Sequence, residues 1–167
     1  DTHRSRYPGN NVHRRNEKVA TDLVYANCPA VDDGSLKAWL FVGHKSLVAD
    51  VHGVKKDKHF IRCLWDNIRL RGAMLTLLSD HASTIVCQKT KDVLRYLCID
   101  GWTSEPHFQH QNPAERRYKT IKHNVQHVMN RYLIPAYAWL LILSYVCFVM
   151  NRTACESISA VESVKRA

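Results

Sequence analysis

"VATDLVYA", residues 19–26, is a run of β-branched and apolar residues with one carboxylate, Asp22, in its middle. The composition predicts a strand. An ionised side chain in a strand with a buried face is costly unless it is paired or holds a cation. Asp22 therefore reads either as half of an ion pair with a neighbouring Lys or Arg, or as a ligand. Asp50, in "SLVADVHG" (46–53), is a rival for the same role. Asp32 and Asp33, next to Gly34, read as turn formers.

Working outward, "AWLFVG" (38–43) and "SLVADVHG" predict two further strands, joined by a short turn at Gly43-His44-Lys45. Three strands with short connections form an antiparallel meander. Residues 57–72 change period: Phe60, Ile61, Leu64, Trp65 and Ile68 share a helical face, and Gly72 supplies the stop. "AMLTLLSD" (73–80) predicts a fourth strand ending in Asp80, residues 85–97 a helix, and "LCID" (97–100) a fifth strand. A helix over 113–131 has Ala114, Tyr118, Ile121, Val125, Val128 and Met129 as its core stripe. A last helix starts near Pro135. The order β-β-β-α-β-α-β-α-α predicts an α/β domain: a five-stranded mixed sheet, antiparallel meander first, then α-β-α-β, flanked by helices. The ribonuclease H-like fold has that order.

The chain has 167 residues, 46% of them apolar, enough for one domain with a real core. Lys and Arg number 24 against 15 acids, a net charge of +9 that suits a polyanionic partner, nucleic acid or an anionic membrane surface. The six cysteines include no CxxC pair, which argues against a zinc ribbon and for reduced core thiols in an intracellular protein. The ten histidines are scattered, and His107 and His110 form an HxxH without the glutamate of a zincin helix. Residues 132–151 carry no charge. Pro135, three tyrosines and Ser144 interrupt that run, so it reads as a packing helix covering the sheet, not a membrane span.

Two more acids have ordinary explanations when taken singly. Asp80 stands where a strand ends and a helix is about to start. Glu115, in "QNPAERRYKT" (111–120), completes a variant capping box with Asn112 and Pro113. Glu115, Lys119, Lys122 and Gln126 are spaced by four, three and four, forming one stripe beside the apolar one. Arg116, His123 and His127 lie further round, towards solvent.

Together, "ATDLVY", "LLSDHAS" and "HQNPAERRYKT", with Glu115 following Asp80 by 35 positions, resemble the catalytic core of retroviral and retrotransposon integrases, the DDE family, and copia-type LTR retrotransposons in particular. The resemblance covers about residues 19–153. It implies metal-dependent DNA 3′-end processing and strand transfer by two divalent ions, Mg²⁺ or Mn²⁺. Asp22 would bridge both ions, with Asp80 on one and Glu115 on the other. Lys119 and Lys122 would meet the phosphates of the DNA end, with Arg116 and His123 nearby. It further implies a homodimer or higher multimer, DNA rather than membrane as partner, and residence in the nucleus and in a cytoplasmic retroelement particle. One departure stands out: where the family has Gly-Val before Ala-Glu, this chain has Pro113 alone. The alternatives are an inactive DNA-binding relic of a retroelement and another ribonuclease H-like nuclease or transposase. The expected organisation is a basic arm over 1–18, the core over 19–153 and a tail over 154–167, an isolated core without the family's zinc module or C-terminal DNA-binding region.

Overall fold

Alternation of side chains along β1 (Lys18–Tyr25) divides the protein into two hydrophobic layers. Val19 and Leu23 point to one face of the sheet, Ala20 and Val24 to the other. The computed structural model describes residues 12–79, 87–103 and 113–153, with the backbone only at positions 57, 103 and 113–115. β1 is followed by β2 (Lys37–Gly43) and β3 (Ala49–Val54), a 3₁₀ turn (Asp57–His59), α1 (Phe60–Arg71) and β4 (Thr76–Ser79). Then come α2 (Gln88–Tyr96), β5 (Asp100–Thr103), α3 (Pro113–Arg131), a second 3₁₀ turn (Ala136–Ala138) and α4 (Trp139–Arg152).

The strands form one mixed sheet in the order β3-β2-β1-β4-β5. β1, β2 and β3 are an antiparallel meander, and β4 and β5 add in parallel. Parallel strands need crossovers, and α1 and α2 supply them on one face. There Trp39 and Phe41 of β2 meet Phe60, Leu64 and Ile68 of α1, while Leu77 of β4 packs with Leu94 of α2. On the other face Leu40 and Val42 meet Ile121 of α3 and Leu140, Leu143 and Val146 of α4. This is the five-stranded mixed sheet, helices on both faces, that the element order predicted.

The starts of β3, β4 and β5 differ from expectation, β4 beginning at Thr76 and not at Ala73. β3 starts at Ala49, not Ser46, because the buried Glu17 holds the preceding turn. Its carboxylate accepts from the backbone N–H groups of Lys45 (3.1 Å) and Ser46 (2.8 Å) and from Ser46 Oγ (2.8 Å), and it pairs with Arg15. Burial alone would raise the Glu17 pKa, but the Ser46 hydrogen bonds and the Arg15 charge outweigh it and hold the carboxyl below its ordinary value. β5 starts at Asp100, not Leu97. Leu97 and Ile99 are spent on the core at the end of α2, and Cys98 between them turns the chain through a left-handed conformation, φ 52°.

The uncharged C-terminal stretch packs as α4, which buries Trp139, Leu140, Leu143, Val146 and Cys147. Among the described residues no helix is long and apolar enough to cross a membrane. Cys63 and Cys147 are buried thiols pushed up to about 12, burial being the main cause, and the described cysteines form no disulfide. Asn151 ties α4 to the edge strand. Its side-chain oxygen accepts from the Ala49 N–H and its Nδ2 donates to the Ala49 carbonyl, both at 2.8 Å. The amide thus stands in for a neighbouring strand at one residue of β3. Asn151→Ala should cost about 1–2 kcal/mol, read as a lower urea midpoint with an unchanged slope.

Candidate active site

Asp22 lies in the middle of β1, opposite Leu40 of β2, on the face covered by α3 and α4. Its side chain is half-buried, and Oδ1 accepts from the Leu23 N–H at 2.8 Å. Tyr118 of α3 reaches the same place. Burial, and then the Asp22 carboxylate, push its phenol above the ordinary value. The early turns of α3 therefore stand over the centre of the sheet. Glu115 is three residues before Tyr118, one helical turn nearer the start of α3. Its backbone is described and its side chain is not.

β4 runs parallel to β1, with Lys18 opposite Thr76, Val19 opposite Leu77 and Ala20 opposite Leu78. That register carries the chain towards the level of Asp22 as β4 ends at Ser79. Asp80 is the next residue in sequence and lies outside the described residues, as do His107 and His110. Of the three acids, only Asp22 has a described side chain. Among the described residues no group of three His, Cys, Asp or Glu side chains gathers to hold a metal.

Asp50 is committed elsewhere. It sits opposite Phe41, so its side chain is on the face of α1, across the sheet from Asp22. Arg71 grips it through Nη2 (2.9 Å to Oδ1) and Nε (3.1 Å to Oδ2), and Asn67 donates at 3.3 Å. Two acids in strands on either side of β2 thus have opposite surroundings, one gripped by Arg71 of α1 and one on the face covered by α3 and α4.

On α3, Arg116, Lys119, Lys122 and His123 are all exposed. Arg117 turns the other way, its Nη2 donating to the Met150 carbonyl of α4 at 3.0 Å. Tyr118 is the residue that sequence reasoning assigned to the core stripe alone. The structure places it close enough to Asp22 for that carboxylate to raise its phenol's pKa.

Solved structures share this fold. The HTLV-2 integrase catalytic core domain, solved with magnesium in a dimeric form, superimposes with a TM-score of 0.66 over 90% of this chain and 94% of that one, at 15% identity. The fold is that of an integrase catalytic core. The BIV integrase catalytic core domain matches with a TM-score of 0.63 over 83% of this chain and 86% of that one, at 16% identity. A chain of the simian T-cell lymphotropic virus intasome, solved in complex with PP2A regulatory subunit B56 gamma, matches with a TM-score of 0.70 at 14% identity. That match covers 90% of this chain and 54% of the intasome chain, so this chain spans about half the length of that one. At the level of sequence, no protein-family model and no curated protein matches.

Proposed function

We propose that this chain is the catalytic core of a copia-type LTR-retrotransposon integrase, which trims DNA 3′ ends and joins them to target DNA. The observation that carries the reading is the convergence on one sheet face of Asp22, the outgoing end of β4 and the early turns of α3 marked by Tyr118. The integrase-core fold and the Asp22, Asp80, Glu115 series support it. A carboxylate trio is a hard oxygen donor set that fits Mg²⁺ or Mn²⁺. Bound there, a pair of such ions would supply charge stabilisation for an in-line phosphoryl transfer. Asp22 contributes a ligand from a rigid central strand, while Tyr118 walls it from the helix side. Asp80 and Glu115 complete the ligand set. Lys119 and Lys122, with Arg116 and His123, hold phosphates of the DNA end, so binding weakens steeply as salt rises. The nucleus and the cytoplasmic particle of the element are where such a core would work.

The test is strand joining on a branched DNA that mimics an integration product, in Mg²⁺ and in Mn²⁺. Metal-dependent joining supports the reading. A folded chain that binds DNA and joins nothing in either metal favours the inactive relic, which the shortened motif at Pro113 would explain.

The partner we propose beside DNA is a second copy. Leu141, Tyr145, Phe148 and Val149 form an exposed apolar strip along α4, the face turned away from the core. Such a strip costs a lone protomer solubility and suits burial in a twofold contact. Leu141→Glu should convert a dimer to a monomer in light scattering while leaving the unfolding midpoint of the protomer within about 1 kcal/mol. A wild type that is monomeric at high concentration would contradict this.

A further inference from the structure

We propose that Trp102 is a stacking platform for an unpaired base of the DNA substrate, on the same sheet face as Asp22; the inference rests on the integrase reading above. Of the four tryptophans, Trp39 and Trp139 are buried and Trp65 is half-buried, whereas Trp102 is 53% exposed. It stands on the edge strand β5. Trp102 lies opposite Leu78, and Leu78 opposite Ala20, so the three share one row across the sheet. Ala20 and Leu78 pack on the α3 and α4 side, which fixes the face. Asp22 is two residues further along β1 on that face.

Two strand spacings across and two residues along separate Trp102 from Asp22, about 12 Å between Cα atoms. At the axial step of stacked DNA that is roughly three nucleotides. Among the described residues α3 packs over β2 and α4 over β3, and Trp102 at the β5 edge of this face is exposed. The exposed cations Arg116, Lys119 and Lys122 on α3 supply attraction for the phosphates of a strand lying across the face. An indole offers its flat surface to any base, but only to one out of its duplex stack, where both π faces are otherwise covered. The expected preference is therefore for frayed or single-stranded ends, with little sequence bias.

The experiment compares binding of a blunt duplex, the same duplex with an unpaired tail, and a single strand, for wild type, Trp102→Ala and Trp102→Phe. Labelled-DNA anisotropy reads affinity, and tryptophan emission reads the indole directly. Trp102→Ala should lose roughly five- to a hundredfold on the tailed and single-stranded DNAs and about twofold or less on the blunt duplex, with Trp102→Phe recovering most of the loss. Quenching of the wild-type emission should accompany binding of unpaired DNA and vanish in both variants. Equal affinities of wild type and Trp102→Ala, or an equal loss on all three DNAs, would overturn the stacking role while leaving the integrase reading intact. A wild type that binds none of the three at low salt would remove the reading itself, and the proposal with it.

Discussion

Glu115→Gln should reduce strand joining by roughly a hundredfold or more in either metal, with the fold intact. The substitution keeps size and hydrogen bonding but removes the negative charge that a hard cation needs. If Glu115 only capped α3, the same change would cost a fraction of a kcal/mol of helix stability and leave chemistry alone. The two roles therefore separate cleanly: rate falls and stability holds in one case, stability falls slightly and rate holds in the other. Asp22→Asn should behave like Glu115→Gln, because Asp22 sits on the same sheet face as Tyr118, one turn along α3 from position 115. Initial rates in Mg²⁺ and Mn²⁺, paired with a urea titration of each variant, check both. Joining that survives Glu115→Gln at the wild-type rate would end the assignment of that residue.

The second large effect belongs to the other strand acid. Asp50→Ala should destabilise the fold by about 3 kcal/mol, because it leaves the Arg71 guanidinium and the buried Asn67 amide of α1 without their carboxylate partner. Breaking one half of a buried pair costs more than the pair is worth, and the partial exposure of Arg71, 29% at the side chain, holds the loss to the lower end of the usual range. In a domain of this size, that loss lowers the melting temperature by roughly 6–12 °C. Pairing Asp50→Ala with Arg71→Met should recover much of it, since no charge is then left without a partner. Joining per folded molecule should not change in either variant, because Asp50 faces away from Asp22. Thermal unfolding and the joining assay together test the claim that the sheet separates a structural acid from a functional one.

That separation shows how far the residues speak for themselves. Asp22 and Asp50 both interrupt apolar strands, and composition cannot rank them. What ranks them is register: Asp22 pairs with Leu40 and Asp50 with Phe41, neighbours on β2 whose side chains point to opposite faces. Runs of β-branched and apolar residues made β1 and β2 legible, and the helical spacing of Phe60, Leu64 and Ile68 did the same for α1. The start of β3 was not legible, because it depends on Glu17, 32 positions before Ala49, gripping Ser46. Nor was the start of β5, where Leu97 and Ile99 have strand-like composition but serve the α2 layer through the turn at Cys98. Integrase cores at 14–16% identity keep this architecture because the two apolar layers need only pattern and volume, not particular residues. The candidate site was read from a spacing of acids, of which Asp22 alone has a described side chain. Tyr118 was missed because its apolar-stripe position conceals a hydroxyl near a carboxylate.

The most direct test of the central claim is an anomalous-scattering map from crystals of the core soaked in Mn²⁺. The account predicts a peak within coordination distance of Asp22, Asp80 and Glu115 that is lost in the Glu115→Gln protein. Ordered acids with no peak between them, or a peak held by other residues, would contradict it.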